Sequence, residues 1–176
     1  MTGKRLTAFF TSLVMFVMII IPSVPQVNAA EAMRDITTME LVRDMGIGIN
    51  LGNTLEACGD WVNGKTPADY ETAWGSPVVT EEMIRGYKNA GFGVLRIPVA
   101  WSNLMKDDGS YKISPDYMAR VTEVVDWAIG SGLYVIINIH WDNGWVNTFP
   151  ENKTECMKRF ETMWTQIAEN YKDYGI

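Results

Sequence analysis

Hydrophobic and polar positions follow two alternating patterns along the chain, and together they predict strands separated by helices. Short apolar runs at residues 46–50, 94–99 and 133–139 predict three strands. The third run is apolar without alternation, as expected of a strand that is buried on both faces. Between the runs, apolar residues recur at the spacing of one helix face. Strands joined by helices predict a parallel sheet and the α/β class.

Capping residues and glycines predict where the helices begin and end. Thr37-x-x-Glu40 is a capping-box pattern at the start of a short leading helix. Ser114-Pro115 supplies a cap followed by proline at the first helical position. Residues 51–77 are polar and contain several glycines, so we predict a loop there. The same signals predict helices at residues 37–43, 80–91, 114–132 and 152–175.

Two parallel architectures fit this order of elements, an open doubly wound sheet and a closed eight-unit barrel. The strands begin near residues 47, 94 and 133, so one unit takes roughly 40 residues and eight take roughly 320, within the range of such barrels. A nucleotide-binding open sheet would carry a glycine-rich phosphate loop after its first strand, and none is present. We therefore predict the N-terminal portion, about three βα units, of a TIM (β/α)8 barrel.

The N-terminus has the pattern of a secretory signal peptide. A basic start is followed by a nearly all-apolar run at residues 6–21, and small residues at 27–29 suit a signal peptidase. The alternative is an uncleaved membrane anchor, for which the run is short against the ~20 residues of a span. We predict a signal peptide at residues 1–29, a barrel domain at residues 30–176 and a secreted protein with no membrane partner after cleavage.

Charge and composition restrict the partners. The net charge is −6, and no basic block follows the N-terminus, which argues against nucleic acid and anionic membranes but permits a neutral polysaccharide. Cys58 and Cys156 are the two cysteines, and export makes a disulfide possible without showing that they pair. His140 is the only histidine, so no cysteine and histidine metal motif is present. We expect a monomer without metal or cofactor.

Two charged or titratable residues fall near the carboxyl ends of the predicted strands, where parallel barrels carry their functional groups. Arg96 lies in an apolar strand, and a lone buried charge costs several kcal/mol unless it is paired. A catalytic carboxylate on another strand or a structural salt bridge both satisfy that requirement. His140 ends the third strand and suits hydrogen bonding to a sugar hydroxyl, although a satisfied core histidine fits the position too.

Aromatic and polar loop residues suggest a carbohydrate groove. Sugar rings stack on indoles, and three of the seven tryptophans fall in loops after strands: Trp61, Trp141 and Trp145. The alternative is that these rings cover the barrel rim. Trp127 and Trp164 lie at core spacing in helices, which predicts packing. Polar residues of the first loop are singly typical of a turn or surface but can bond sugar hydroxyls: Asn53, Glu56 and Asp60.

Four stretches together resemble glycoside hydrolase family 5, the cellulase family of retaining barrel enzymes. The first, Ile-Gly-Ile-Asn-Leu-Gly-Asn-Thr-Leu at residues 47–55, resembles the first strand and loop of that family. The second joins Trp74-Gly75 to the helix that ends at residues 87–92. The others, at residues 94–101 and 137–142, resemble the second and third strands. In this order and spacing the stretches span nearly the whole mature chain.

The resemblance implies hydrolysis of β-1,4-glucan by an endoglucanase-like, two-glutamate mechanism. It makes Arg96 an active-site arginine and His140 a substrate-site histidine. From the loop residues above we predict Asn53, Trp61, Trp141 and Trp145 as substrate-binding residues. The same family also includes xyloglucanases, lichenases and mannanases, and the sequence does not separate these substrates. A non-catalytic glycan-binding module that uses the loop tryptophans is the alternative from another class.

Two departures from the family pattern change the expectations. Trp141 stands where some members have a second histidine, so any role of that imidazole is absent. The acid/base glutamate of the family follows an asparagine after the fourth strand, and the nucleophile follows the seventh, so we expect both beyond Ile176. None of the glutamates present fits either motif. We therefore expect these 176 residues alone to lack hydrolytic activity.

Overall fold

The computed structural model describes residues 34–106 and 108–175, and the predicted signal peptide at residues 1–29 lies outside them. Strands and helices alternate as the hydrophobic pattern predicts. In the described part of the chain, no helix combines the length and apolar character needed to cross a membrane. The elements in chain order are α1 (Thr38–Met45), β1 (Gly48–Asn50), α2 (Pro67–Glu71), α3 (Glu81–Asn89), β2 (Val94–Ile97), α4 (Pro115–Gly130), β3 (Tyr134–Ile137), a 3₁₀ segment (Asp142–Thr148) and α5 (Lys153–Tyr171).

The three strands form one parallel sheet in the order β1-β2-β3. The register places Asn50 of β1 beside Arg96 of β2, and Arg96 beside Ile136 of β3. The middle strand is therefore β2, and the loops that follow β1 and β3 lie on either side of it. This arrangement confirms the predicted α/β class with a parallel sheet.

The hydrophobic core lies on the face of the sheet that the helices cover. Leu95 and Ile97 of β2 are fully buried against side chains of α3, α4 and α5, including Ile84, Val121 and Met163. Helix α3 packs against α4, and α4 packs against β3, so the helices form one layer on this face of the sheet. Trp127 and Trp164 pack against the same core, which confirms their predicted role in helix packing.

The opposite face of the sheet is open within the described residues. Ile136 of β3 is 42% exposed, so the prediction that this strand is buried on both faces is wrong. The reason is that the helices of the described part cover one face only. Here the sheet lines a depression of about 210 Å³, and the residues around it are Gly48, Ile49, Asn50, Val94, Arg96 and Ile136.

The capping signals confirm α1, while α2 was missed in a region predicted to be a loop. The backbone N–H of Thr37 donates to Glu40 Oε2 over 2.7 Å, which is half of the predicted capping box. At α2 the Asp69 carboxylate accepts from the Thr66 backbone N–H and hydroxyl at 2.9 Å each, and Pro67 takes the first helical position. Thr66-Pro67 repeats the signature of Ser-Pro at the start of α4, so the sequence did carry the signal.

A buried ion pair fastens α2 to α4. Arg120 Nε donates to Glu71 Oε1 over 2.6 Å, and the Glu71 side chain is fully buried. The second oxygen of Glu71 accepts from Arg120 Nη2 at 3.1 Å and from the backbone N–H of Val79 at 2.9 Å. The guanidinium also lies 5.1 Å from the ring centroid of Trp127. The long connection between β1 and α3 is thereby held on the helix layer.

Candidate active site

The candidate site lies where the three strands end. Because β1 ends at Asn50 and pairs with Arg96, the two side chains are neighbours, and Arg96 Nη1 donates to Asn50 Oδ1 over 3.1 Å. His140 follows β3, and its Nδ1 lies 3.4 Å from Arg96 Nη2. The structure thus brings together Arg96 and His140, the two residues predicted to support catalysis.

The contact between these two residues fixes which imidazole nitrogen carries hydrogen. A guanidinium has only N–H donors, so His140 Nδ1 has to accept from Arg96. Asn138 Nδ2, another donor, also lies 3.4 Å from Nδ1. When Nδ1 of the neutral imidazole accepts from Arg96, the hydrogen of the ring is on Nε2, and Nε2–H can donate to a ligand.

Main-chain hydrogen bonds hold the residues after the strands in place. Beyond the last paired residue of β1, the Leu51 N–H donates to Arg96 O over 2.8 Å. The N–H of His140 donates to Val99 O over 2.9 Å, in the segment that follows β2. Backbone pairing thus continues into the loops, and His140 is positioned by its own main chain as well as by Arg96.

In the described residues, the side-chain partners of Arg96 are Asn50 and His140 rather than carboxylates. Its guanidinium lies within ion-pair distance of no Asp or Glu of residues 34–106 and 108–175. The side chain is only half-buried on the open face of the sheet, so water reaches the charge and reduces the cost of leaving it unpaired. A carboxylate partner for Arg96 stays a prediction.

Trp61 and Trp141 are the two exposed candidates for sugar stacking. Trp61 is 72% exposed in the loop after β1, and Trp141 is 52% exposed directly after His140. Both therefore offer indole surface in the loops that follow β1 and β3. Their role as sugar contacts stays a prediction.

Trp145 is placed differently from Trp61 and Trp141, because its side chain is half-buried. Its Nε1–H donates to Asp142 Oδ2 over 2.9 Å, and the guanidinium of Arg159 lies 4.7 Å from the centroid of its ring. The side chain is half-buried because it packs between this arginine and the core. A sugar contact of Trp145 remains a prediction, but its N–H is already engaged.

Asn53 and Glu56 form a turn after β1. The backbone of Asn53 has a positive φ of 62°, and its N–H donates to Glu56 Oε1 over 2.6 Å. The other oxygen of Glu56 accepts from the N–H of Thr54 at 2.9 Å, and Glu56 is buried. Glu56 is thus a turn residue, whereas the side chains of Asn53 and Asp60 are exposed.

Asp142 is a structural carboxylate that sequence reasoning did not single out. It is fully buried and accepts from Ser102 N at 2.9 Å, from Ser102 Oγ at 2.7 Å and from Trp145 Nε1. Burial raises the pKa of Asp142, and these hydrogen bonds oppose the effect. The carboxylate ties the loop after β3 to the loop after β2. A polar residue at a strand end was visible in the sequence, but its partner 40 residues away was not.

The two cysteines are separate and buried. Cys58 and Cys156 are both free thiols, and burial raises the pKa of Cys58. In the described residues, no three side chains of His, Cys, Asp or Glu come together as a group that holds a metal ion.

Known proteins with similar sequences and structures identify the family. Residues 55–176 match the cellulase family, glycosyl hydrolase family 5. A xyloglucan-specific endo-beta-1,4-glucanase from Bacteroides ovatus is 46% identical over 81% of this chain and 28% of its own length. Endoglucanase A from Ruminococcus albus is 44% identical over 81% of this chain and 38% of its own length. A solved broad specificity endoglucanase from Ruminococcus champanellensis with bound cellotriose is 40% identical, with a TM-score of 0.76 over 81% of this chain and 42% of that one.

These similarities confirm the predicted fold. The solved relatives are TIM barrels, and the three-stranded parallel sheet with its helices is part of such a barrel. The chain spans 28% to 38% of the length of the two curated relatives, which accords with about three of eight βα units. The four sequence stretches pointed to the same family, and the chain belongs to glycoside hydrolase family 5, the cellulases.

Proposed function

We propose that this chain is part of a secreted endo-β-1,4-glucanase that cleaves its substrate with retention of configuration. The observation that carries the proposal is the meeting of Arg96, Asn50 and His140 at the carboxyl edge of the sheet. Membership of the cellulase family and the endoglucanase relatives support it. The signal-peptide pattern of residues 1–29 supports export, and we propose that the mature protein acts as a monomer.

The proposed reaction uses two glutamates that lie beyond Ile176. One glutamate attacks the anomeric carbon while the bond from that carbon to the leaving sugar oxygen breaks. The other glutamate donates its proton to that oxygen, and then removes a proton from the water that displaces the first glutamate. The two carboxyls of such a pair stand about 5–5.5 Å apart. None of the described glutamates lies within ion-pair distance of Arg96, which supports placing them outside residues 34–106 and 108–175.

Arg96 and His140 support this reaction in different ways. The contacts with Asn50 and His140 engage the two terminal nitrogens of Arg96 with one donor each, and a guanidinium has five donors. The remaining donors bind the nucleophile carboxylate and keep it ionised by lowering its pKa. His140 Nε2–H donates to a sugar hydroxyl at the cleavage point. Trp61, Trp141, Trp145 and Asn53 bind sugars along the groove.

The proposed substrate is a glucan with a β-1,4-linked backbone. The R. champanellensis relative holds cellotriose, and the B. ovatus relative is specific for xyloglucan. These two ligands share the β-1,4-glucan backbone and differ in its side branches. We propose that the backbone is what Arg96 and His140 meet, whereas loops outside the described residues select among cellulose, xyloglucan and mixed-linkage glucan.

Hydrolysis by the purified full-length protein tests the proposal. Reducing ends released from soluble cellulose derivatives, xyloglucan and cello-oligosaccharides give the substrate, and proton NMR of the first product gives its anomer. We expect turnover and an initial β-anomer. An initial α-anomer contradicts the retaining mechanism, and binding without turnover favours the non-catalytic glycan-binding alternative. The 176-residue chain by itself is expected to be inactive, and turnover by it contradicts the placement of the glutamates.

A further inference from the structure

Trp61 and Trp141, the two exposed candidates for sugar stacking, each lie directly against a glycine. A Cβ atom built on Gly59 would stand 2.4 Å from Cη2 of Trp61, and one built on Gly144 would stand 2.6 Å from Cη2 of Trp141. Both distances are below the 3.0 Å that real Cβ atoms keep from their neighbours. In each pair, therefore, the ring occupies space that only glycine leaves free.

The glycine supports one side of the ring and leaves the other side open. Trp61 and Trp141 remain 72% and 52% exposed although they touch the backbone at Gly59 and Gly144. A ring that already rests on the backbone has lost much of its freedom before a ligand arrives, so binding costs less side-chain entropy. An indole held in this way is a preformed surface for the C–H face of a sugar ring.

The two supported rings lie in loops that contact each other. Trp61 lies in the loop after β1, and Trp141 follows β3. A hydrogen bond joins the backbone N–H of Asn143, two residues after Trp141, to the thiol of Cys58, three residues before Trp61. An extended chain of sugars, rather than a single sugar, is therefore the ligand that can touch both rings.

We propose that Gly59 and Gly144 are positioning residues that fix Trp61 and Trp141 as two sugar-stacking platforms. An extended β-glucan binds across both platforms. The glycines determine how close to the backbone the tryptophan rings lie, and therefore where the sugar rings stack. The inference rests on the proposed function and adds to it two residues that act through the tryptophans.

Alanine at Gly144 tests the inference in the full-length protein, with steady-state kinetics on a long soluble β-glucan. The added methyl group pushes the Trp141 ring away, and we expect KM to rise about threefold to tenfold with kcat unchanged. Gly109→Ala is the matched control. Gly109 has a φ of 72° against 71° at Gly144, so alanine strains both backbones alike, but a Cβ at Gly109 meets nothing within 4 Å.

A double-mutant cycle separates displacement of the ring from any other effect of the methyl group. In a Trp141→Ala background the Gly144→Ala change has no ring to displace. We expect KM of the double variant to match that of Trp141→Ala alone. The parallel cycle with Gly59→Ala and Trp61→Ala tests the other platform, and it carries the test if circular dichroism shows that Gly144→Ala fails to fold.

The possible results are distinct. A higher KM for Gly144→Ala than for Gly109→Ala, abolished in the Trp141→Ala background, supports the inference. Equal KM values for the two glycine variants, or a fall in kcat without a change in KM, overturn it while leaving the proposed function intact. Absence of turnover of every β-glucan by the unaltered full-length protein overturns the proposed function, and the inference falls with it.

Discussion

Arg96 Nη2 lies 3.4 Å from His140 Nδ1, and this contact joins the ends of two neighbouring strands through their side chains. Asn50 extends these contacts to β1 by accepting from Arg96 Nη1. One guanidinium thus organises polar groups from β1, β2 and the residues after β3. The planar fork of arginine makes this possible, because two of its nitrogens point to different partners at once.

Lysine at position 96 keeps the positive charge but loses the fork. The single ammonium group is unable to reproduce the contacts with Asn50 and His140 together. We expect Arg96→Lys to lower kcat/KM by about 10²-fold, the usual effect of losing one preorganised donor. Steady-state kinetics on a soluble glucan measure it, with Arg85→Lys on the exposed face of α3 as a control of unchanged activity. Wild-type kcat/KM in Arg96→Lys would show that the fork is dispensable.

The ion pair between Glu71 and Arg120 allows a stability prediction. Glu71→Gln leaves the guanidinium with no charged partner on the Glu71 side, where the carboxylate is fully buried. Arg120 keeps its ion pair with Glu123, so we expect a loss of about 1–3 kcal/mol in the free energy of unfolding, from the weakened hydrogen bonds of the buried side chain. Urea denaturation measures the change.

The control for this prediction is a surface pair of the same residue types. Glu81 and Arg85 lie 3.4 Å apart with side chains more than half exposed, so Glu81→Gln should cost less than about 1 kcal/mol. Equal losses of stability in Glu71→Gln and Glu81→Gln would mean that burial does not increase the contribution of the Glu71–Arg120 ion pair.

The burial of Asp142 leads us to predict an unusual pH dependence of the free energy of unfolding. Burial raises its pKa, so the folded protein binds a proton at higher pH than the unfolded chain, in which the pKa is close to 3.8. The carboxylate therefore lowers stability above its folded pKa, and that penalty disappears as the pH falls toward 3.8. Asp142→Asn has no such titration.

Asparagine at position 142 also replaces one carboxylate oxygen, an acceptor, by an NH₂ group, a donor. This donor would face the N–H of Trp145 or the Ser102 donors. We expect the variant to lose about 1–3 kcal/mol of stability. The stability advantage of the wild type should grow as the pH is lowered from 7 toward 4, in thermal melts at matched ionic strength. An advantage that shrinks over this range would contradict the raised pKa.

The two thiols give a prediction for the oxidation state. Cys58 and Cys156 are separate and buried, so both should be alkylated in denaturant without a reducing agent. In the native protein Cys58 should react more slowly at pH 8 than an exposed cysteine, because burial raises its pKa and lowers the thiolate fraction. Mass spectrometry of the peptides measures both. A peptide pair linked through the two cysteines would contradict the structure.

Much of the fold was predictable because its signals are local. The strands and the caps of α1, α3 and α4 follow from residues that lie next to each other in the chain. The exposure of Ile136 was not predictable, because it depends on which elements cover the second face of the sheet. A continuous apolar run in the sequence looks the same whether its second face is packed or open.

Candidate site residues were predictable by type and position, but their contacts were not. Arg96 and His140 are recognisable as a charge and an imidazole in apolar strands, and the register then brings them together. Trp145 and Asp142 look like exposed loop residues in the sequence. They are partly or fully buried because the 3₁₀ segment begins with positive φ angles at Asp142 and Asn143, which turn the loop back onto Ser102 and Arg159.

The main-chain bonds that continue beyond the strands have a consequence for evolution. Leu51, Ala100 and His140 are held through backbone N–H groups that donate to carbonyls of neighbouring segments. Such bonds form with almost any side chain, so substitutions of exposed loop residues such as Asn53 and Asp60 leave these anchors in place. The exposed loop side chains can therefore be exchanged one at a time without first rebuilding the scaffold that holds Arg96 and His140.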